Sequence, residues 1–360
     1  MPETCSGDIP VWHKLECKFL YLLDTIGAGH FCFRLLLSRV LARTSTDKTQ
    51  DELTVDSLVT NYDQYSCNRD LFEYAMTAWL ISLLLKSAVD SIKLDISVRQ
   101  IDSEKIGHWC FETLLRVQCN AQALVAIQFE QSNSKLMEEF TQIRYGCSLF
   151  PAMSMLNHAC KPNICVDFEG CGIVVRCLTT IKEGDELLNC YGPQYPFNMS
   201  TRERKRMLRS QYFFECNCKH CEAAVEPEET DHDFNFLEQI LQCKHENISQ
   251  EEIKRKLQIL NEQCDTFHNF KSVLNKVDDV ARTLSETGYS PQMKIAEILI
   301  ESNINLIALF YGNDSLHYAW ECLKLNSLND NRTYLDVAKK IFEIHFGPSK
   351  AHHMVRRICI

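Results

Sequence analysis

"NHACKPN", residues 157–163, follows the apolar run "SLFPAMSML" and sets a histidine, a cysteine and two asparagines into seven positions where the chain is expected to enter its core. Polar side chains are tolerated there only with partners. A second stretch, "YFFECNCKHCE" at 212–222, points to one such partner. It places Cys216, Cys218 and Cys221 in a C-x-C-x-x-C array, and three thiolates so spaced reach one tetrahedral Zn²⁺ at about 2.3 Å. A fourth ligand must come from elsewhere, and Cys160 of the first stretch is the natural candidate. Such a zinc would be structural, closed by protein ligands, and would clamp the two stretches together.

The rest of the composition frames this reading. The chain has 360 residues, 45% hydrophobic and 24% charged, which suits one large or two ordinary globular domains. Its net charge of −10 argues against nucleic acid or an anionic membrane as the main partner. No run approaches the roughly 20 apolar residues of a bilayer span, and "AMTAWLISLLLK" reads as a buried helix. The first residues, "MPETCSGDIP", lack the basic and apolar regions of a signal peptide. An intracellular protein, cytoplasmic or nuclear, is expected, with its 19 cysteines mostly reduced and clustered ones serving metal. The Asn198 sequon is then a chance match.

Periodicity divides the chain. Apolar residues at three- and four-residue spacing in "FRLLLSRVLAR" and "LFEYAMTAWLISLLLK" predict helices, and from His108 to Tyr191 short runs broken by glycines predict a small β region with a hairpin turn at "EGCG". An acidic connector, "EPEETDHD", leads to a helical tail. There Ser249 and Glu252 have capping-box spacing, and "FGPSK" reads as a helix stop. The paired helices of the tail suggest a tetratricopeptide-like array with a concave surface for a protein partner; a helical domain packed on the core is the plainer alternative. "RERKRMLR", 202–209, has the composition of a nuclear signal or nucleic-acid contact but is expected to be a solvated helix face. "GAG" at 27–29 is expected to interrupt a helix rather than to form a cofactor turn.

In order, "NHACKPN", "KEGDELLNCYG" and "YFFECNCKHC" resemble the C-terminal half of a SET domain and its cysteine-rich post-SET segment. "VWHKLEC" resembles the end of a MYND zinc finger, and the whole resembles the SET-and-MYND lysine methyltransferases, closest to the branch with tetratricopeptide repeats. The resemblance implies an α+β protein with a SET-type β core, a helical insertion, a post-SET zinc knuckle and a helical C-terminal domain. It divides the chain into a finger remnant at 1–17, helices at 18–104, the C-terminal part of the SET domain at 105–215, the post-SET segment at 216–222 and the helical domain at 232–360.

It further implies S-adenosylmethionine-dependent methylation of a lysine on a protein substrate. Asn157, His158 and, upstream, Asn120 would bind the cofactor. Tyr191 would stand at the mouth of the lysine channel, Tyr212 and Phe214 would line the cofactor site and channel, and Cys160 would complete the zinc. The chemistry suits such residues. Methyl transfer from a sulfonium to a neutral amine requires alignment and exclusion of water rather than a strong base.

The resemblance departs at the front. The family's first SET strands and most finger ligands precede the first residue here, so Cys5, His13 and Cys17 read as remnants of two incomplete zinc sites. Two readings follow: a methyltransferase whose pocket is weakened by the missing strands, or a non-catalytic, zinc-stabilised interaction scaffold.

Overall fold

The computed structural model describes residues 10–42, 54–65, 68–91, 103–128, 136, 141–170, 172–195, 199–222, 234–242, 249–264 and 267–358. Cys5, Asn198 and the acidic connector lie outside them. The chain divides into two compact units, the first comprising residues 1–124, 145–156 and 209–214, the second 125–144, 157–208 and 215–360.

The first unit is helical. Its helices are α1 (Val11–Glu16), α2 (Leu20–Leu23), α3 (Ala28–Ala42), α4 (Asn68–Asp90) and α5 (Ser103–Asn120). Gly27, at φ 50, breaks the chain before α3, a left-handed conformation that costs glycine little. "GAG" is thus a helix interruption. Phe33, Leu36 and Leu37 of α3 pack with Ile81 and Leu85 of α4 and with Cys110 and Leu114 of α5. The expected β texture from His108 is corrected here, because α5 runs through the 104/105 boundary. Ile106, Cys110, Leu114 and Val117 are all buried at helical spacing, so the short apolar runs are successive turns of one helix.

The expectation of a buried α4 also needs correction. Ala78, Ile81, Leu85 and Ala88 are buried, yet Phe72, Met76, Trp79 and Leu83 are 64%, 47%, 58% and 46% exposed. By length and composition alone, Arg69–Asp90 is long and apolar enough to cross a membrane. Its inner face is nonetheless part of a packed protein core.

His13, read as a finger remnant, lies 3.3 Å from the buried Glu16 carboxylate, which also receives Arg34 through Nε at 2.8 Å and Nη2 at 2.6 Å. Cys17 is buried nearby in sequence at 8% exposure. Both residues are absorbed by the fold of α1 and its neighbours.

Among the described residues there are three two-stranded sheets. β1 (Gln122–Gln128) pairs with β2 (Thr141–Ser148). β3 (Asn157–His158) runs parallel to the distant β6 (Leu188–Asn189), and β4 (Ile164–Glu169) pairs antiparallel with β5 (Gly172–Cys177). Gly170, at φ 59, turns the β4–β5 hairpin as "EGCG" implies; Cys171 lies outside the described residues.

After α6 (Thr201–Tyr212) and the one-turn α7 (Lys219–Glu222), the second unit ends in α8 (Asn235–Gln242), α9 (Gln250–Glu262), α10 (Phe267–Glu286), α11 (Ser290–Phe310), α12 (Leu316–Asn329) and α13 (Arg332–Ile358). The capping box is formed: the Ser249 hydroxyl accepts the Glu252 N–H at 3.1 Å. From α10 onward each helix packs on the next, around Phe270, Leu299, Trp320 and Phe342. Lys324, 4% exposed, is held at 2.7 Å by both Asp278 and Glu321. Burying these charges is costly unless they remain paired, so the network ties α10 to one register on α12.

"GPSK" does not stop the last helix; it kinks it. Gly347, at φ 78 and ψ 162, interrupts α13, Pro348 begins a new turn, and helix continues beyond. The kink receives the β4–β5 hairpin. Lys350 Nζ donates to Asp167 Oδ2 at 2.7 Å and to the Phe168 carbonyl at 2.8 Å. A Cβ on Gly347 would lie 2.8 Å from Arg176 Nη2. Gly347→Ala should therefore be strained by a backbone region almost reserved for glycine, and would also push the Arg176 guanidinium aside. The expected loss is about 1–3 kcal/mol in a denaturant titration of the far-ultraviolet circular dichroism.

Candidate cofactor site and thiol metal centre

"NHACKPN" is stitched to the strand it pairs with through its backbone and through Asn163. The Ala159 N–H donates to the Asn189 carbonyl at 2.9 Å, and the Asn163 N–H to that of Leu188 at 3.2 Å. The Asn163 side chain then bridges, accepting the Leu188 N–H and donating to the Glu186 carbonyl, both at 2.8 Å. The second asparagine thus serves the β3–β6 crossing. The segment can be polar because nearly every group in it closes a backbone bond between distant parts of the chain.

The first asparagine stays exposed, and its Nδ2 donates to Glu186 Oε1 at 2.5 Å. His158 is half-buried and both of its ring nitrogens are engaged. Nδ1 accepts the Tyr191 N–H at 3.0 Å, which fixes the proton on Nε2, and Nε2 lies 3.4 Å from Cys160 Sγ. Burial, with the Arg204 charge adding to it, pulls His158 down to about 4, so the ring is neutral at physiological pH. The Tyr191 ring stands 5.3 Å from the His158 ring, and burial together with Glu186 raises the phenol above its ordinary value. Asn157, His158, Cys160 and Tyr191 are therefore brought together in one unit.

The other candidates belong to the first unit. Asn120, 6% exposed at the end of α5, uses its Nδ2 twice, on the Arg116 carbonyl at 2.8 Å and the Val59 carbonyl at 3.1 Å. Tyr212 and Phe214 flank Phe213, whose φ of 60 is unusual for a bulky residue. Phe213 packs at 4.7 Å on Tyr65. That packing of Phe213 on Tyr65 lies at the turn from which Tyr212 and Phe214 project.

Cys160, Cys216, Cys218 and Cys221 form a cluster in which all four sulfurs lie within 4.8 Å of one another. Sγ of Cys160 is 3.9 Å from that of Cys216 and 3.5 Å from that of Cys221. Four ligands about 2.3 Å from a tetrahedral ion stand roughly 3.8 Å apart, so the spacing fits zinc. An all-sulfur donor set suits zinc as well. Without a cation the cluster resists ionisation. Burial raises the Cys160 thiol strongly and carries Cys216 to about 11; Cys218 alone lies below its ordinary value, because hydrogen bonds from the Cys160 backbone and its neighbours outweigh its burial. A divalent ion would supply the missing charge. These cysteines could hold a metal, and zinc fits the site.

The solvated face expected of "RERKRMLR" is true of only part of α6. Glu203 forms a capping box with Ser200, accepting its N–H at 2.8 Å, while Arg204, 2% exposed, turns inward to the cysteines. Helical spacing could have placed Arg204 on the same face as the buried Leu208, four residues on. Nothing in the sequence told a buried cation from a solvated one.

Residues 19–192 match the family model of the SET domain. The chain is a SET-domain protein. It shares 44% identity over 110 residues with the protein-lysine N-methyltransferase SMYD4 of Mus musculus, covering 31% of this chain and 14% of that protein. With SMYD4 of Danio rerio the identity is 26% over 289 residues, covering 61% and 38%; with the histone-lysine N-methyltransferase SMYD3 of Mus musculus it is 31% over 212 residues, covering 56% and 42%. The chain is thus similar to SET-and-MYND proteins, and these matches span less than half the length of each of those relatives.

The purified protein should contain about one equivalent of zinc by elemental analysis. Cys218→Ser should lose it to a chelator at least tenfold faster, while exchange of the exposed Cys177 to serine should leave the content unchanged.

Proposed function

We propose that this protein is an S-adenosylmethionine-dependent protein-lysine N-methyltransferase of the SET type, with zinc in the cysteine cluster as a structural ion. The supporting observation is the Asn157–His158–Tyr191 group, set at one strand crossing by the Tyr191 N–H to His158 Nδ1 bond. S-adenosylmethionine, when bound, supplies an electrophilic methyl group. Asn157 would bind its amino-acid portion through the carboxamide, of which Glu186 occupies one N–H. His158 has both ring nitrogens engaged and so would contribute its backbone and the shape of its ring.

The target amine must be neutral, although free lysine titrates near 10.4. Burial in a narrow aromatic channel favours the neutral form. Tyr191, held protonated by its surroundings, would orient the amine by hydrogen bonding rather than act as a base. The substrate is a protein bearing the lysine, and the helical tail offers surface for a further protein partner. The expected compartment is cytoplasmic or nuclear, and no role in membrane or nucleic-acid binding is proposed.

Calorimetric titration with S-adenosylmethionine should give a binding heat that Asn157→Ala abolishes. No heat from the unsubstituted protein would sink the enzymatic reading and leave the interaction scaffold. With radiolabelled cofactor and a protein mixture, Tyr191→Phe should lower methyl transfer at least tenfold with little change in cofactor affinity. Tyr212→Phe, measured in parallel, shows which phenol the transfer depends on.

A further inference from the structure

Arg204 is a buried cation without a carboxylate partner among its hydrogen bonds. Nη1 donates to the Met199 carbonyl at 2.9 Å; Nη2 donates to Thr201 Oγ1 and to the His220 carbonyl, both at 3.1 Å. Its guanidinium carbon lies 5.3 Å from the centre of the Tyr195 ring. The same Nη2 is 3.8 Å from Cys221 Sγ, which itself lies 3.5 Å from Cys160 Sγ. Its Nε is buried and has no hydrogen-bond partner among the described residues. A buried guanidinium held only by neutral oxygens and an aromatic face is poorly compensated. Among the described residues the group beside it that can carry a compensating charge is the sulfur cluster.

Charge arithmetic agrees. Four thiolates and one divalent ion carry −2, which a single adjacent guanidinium reduces to −1. Thiolate sulfur ligated to a metal still accepts hydrogen bonds, and groups one shell out from a metal commonly set its retention. Arg204 is well placed for this role because it rides on α6 while reaching Cys221, whose sulfur lies beside that of Cys160 in "NHACKPN", so that it stands next to the two stretches a metal would join.

We infer that Arg204 is the outer-sphere donor of the four-cysteine centre, its guanidinium hydrogen-bonding the Cys221 sulfur and offsetting the charge of the cluster so that the metal is held. This inference rests on the zinc reading above, but it assigns the retention of the metal to a residue outside the ligand set. It makes Arg204 a positioning residue for Cys221 and, through the cluster, for Cys160 and the ring of His158.

The test uses the full chain loaded with zinc, and separately with cobalt. Arg204→Met should release zinc to a chelator about ten- to a hundredfold faster. In the cobalt protein the sulfur-to-metal charge-transfer band should move to lower energy, because sulfurs that lose a hydrogen bond become better donors, while the ligand-field bands keep tetrahedral intensity. A merely structural role would not move that band. Arg204→Lys, which keeps the charge without the fork, should release zinc more than twofold faster than the unsubstituted protein and more slowly than Arg204→Met. Release from Arg204→Met within twofold of the unsubstituted protein, with an unmoved band, overturns the inference. If Arg204→Met does not fold, Arg204→Lys decides: retention and band equal to those of the unsubstituted protein overturn it. An unsubstituted protein that binds neither metal sinks the zinc reading itself, a separate outcome.

Discussion

The candidate site is organised around the sulfur of Cys160. It lies within reach of Cys216 and Cys221 on one side and 3.4 Å from His158 Nε2 on the other. Four thiols pressed together in a buried site are a poor arrangement by themselves, since ionising any one of them penalises the next. With a divalent ion and the Arg204 guanidinium, the same site becomes a crosslink between segments more than 50 residues apart in sequence. Such a crosslink would brace the strand pair beside it. β3 and β6 contribute only two residues each, too few for an isolated parallel pair to persist.

From this junction the organisation of the candidate site follows. His158 is fixed at both nitrogens, by the Tyr191 backbone and by Cys160, so the ring is a strut between the metal centre and the strand end that carries Tyr191. Asn157, one residue earlier, points the other way along the pleat and stays exposed. Adjacent residues thereby differ, one tied into the fold at both ring nitrogens and one exposed. Glu186 serves both, accepting from Asn157 with its side chain and from Asn163 with its backbone. The helical tail is tied in as well, by Lys350 to the β4–β5 hairpin at the Gly347 kink.

Much of this was legible in the chain. The C-x-C-x-x-C spacing named three members of the thiol cluster, and the search for a fourth reached Cys160. The "EGCG" turn, the Ser249 cap and the break at Gly27 follow from local chemistry, because glycine conformations and capping bonds involve residues within a few positions. Other features were read wrongly for a common reason. Gly-Pro marks a break in helical hydrogen bonding, but whether the chain turns away or resumes the helix depends on what packs there, here Arg176 and Lys350. The apolar stripe of α4 promised burial, yet the core accepts only one of its faces.

By itself, the sequence determined what is local or carried by residue type: the helices with strong periodicity, the hairpin, the cap, and a set of sulfur donors that could bind zinc. Tertiary structure decided which groups share a site. It turned Arg204 from an apparently solvated face into the cysteine cluster, committed both His158 nitrogens, and gave Asn163 rather than Asn157 the bonds that hold the strand crossing. The physical reason is that a side chain's hydrogen-bond partners and burial come from segments remote in the chain, so an arginine or asparagine reads the same in sequence whether it ends in water or against a thiolate.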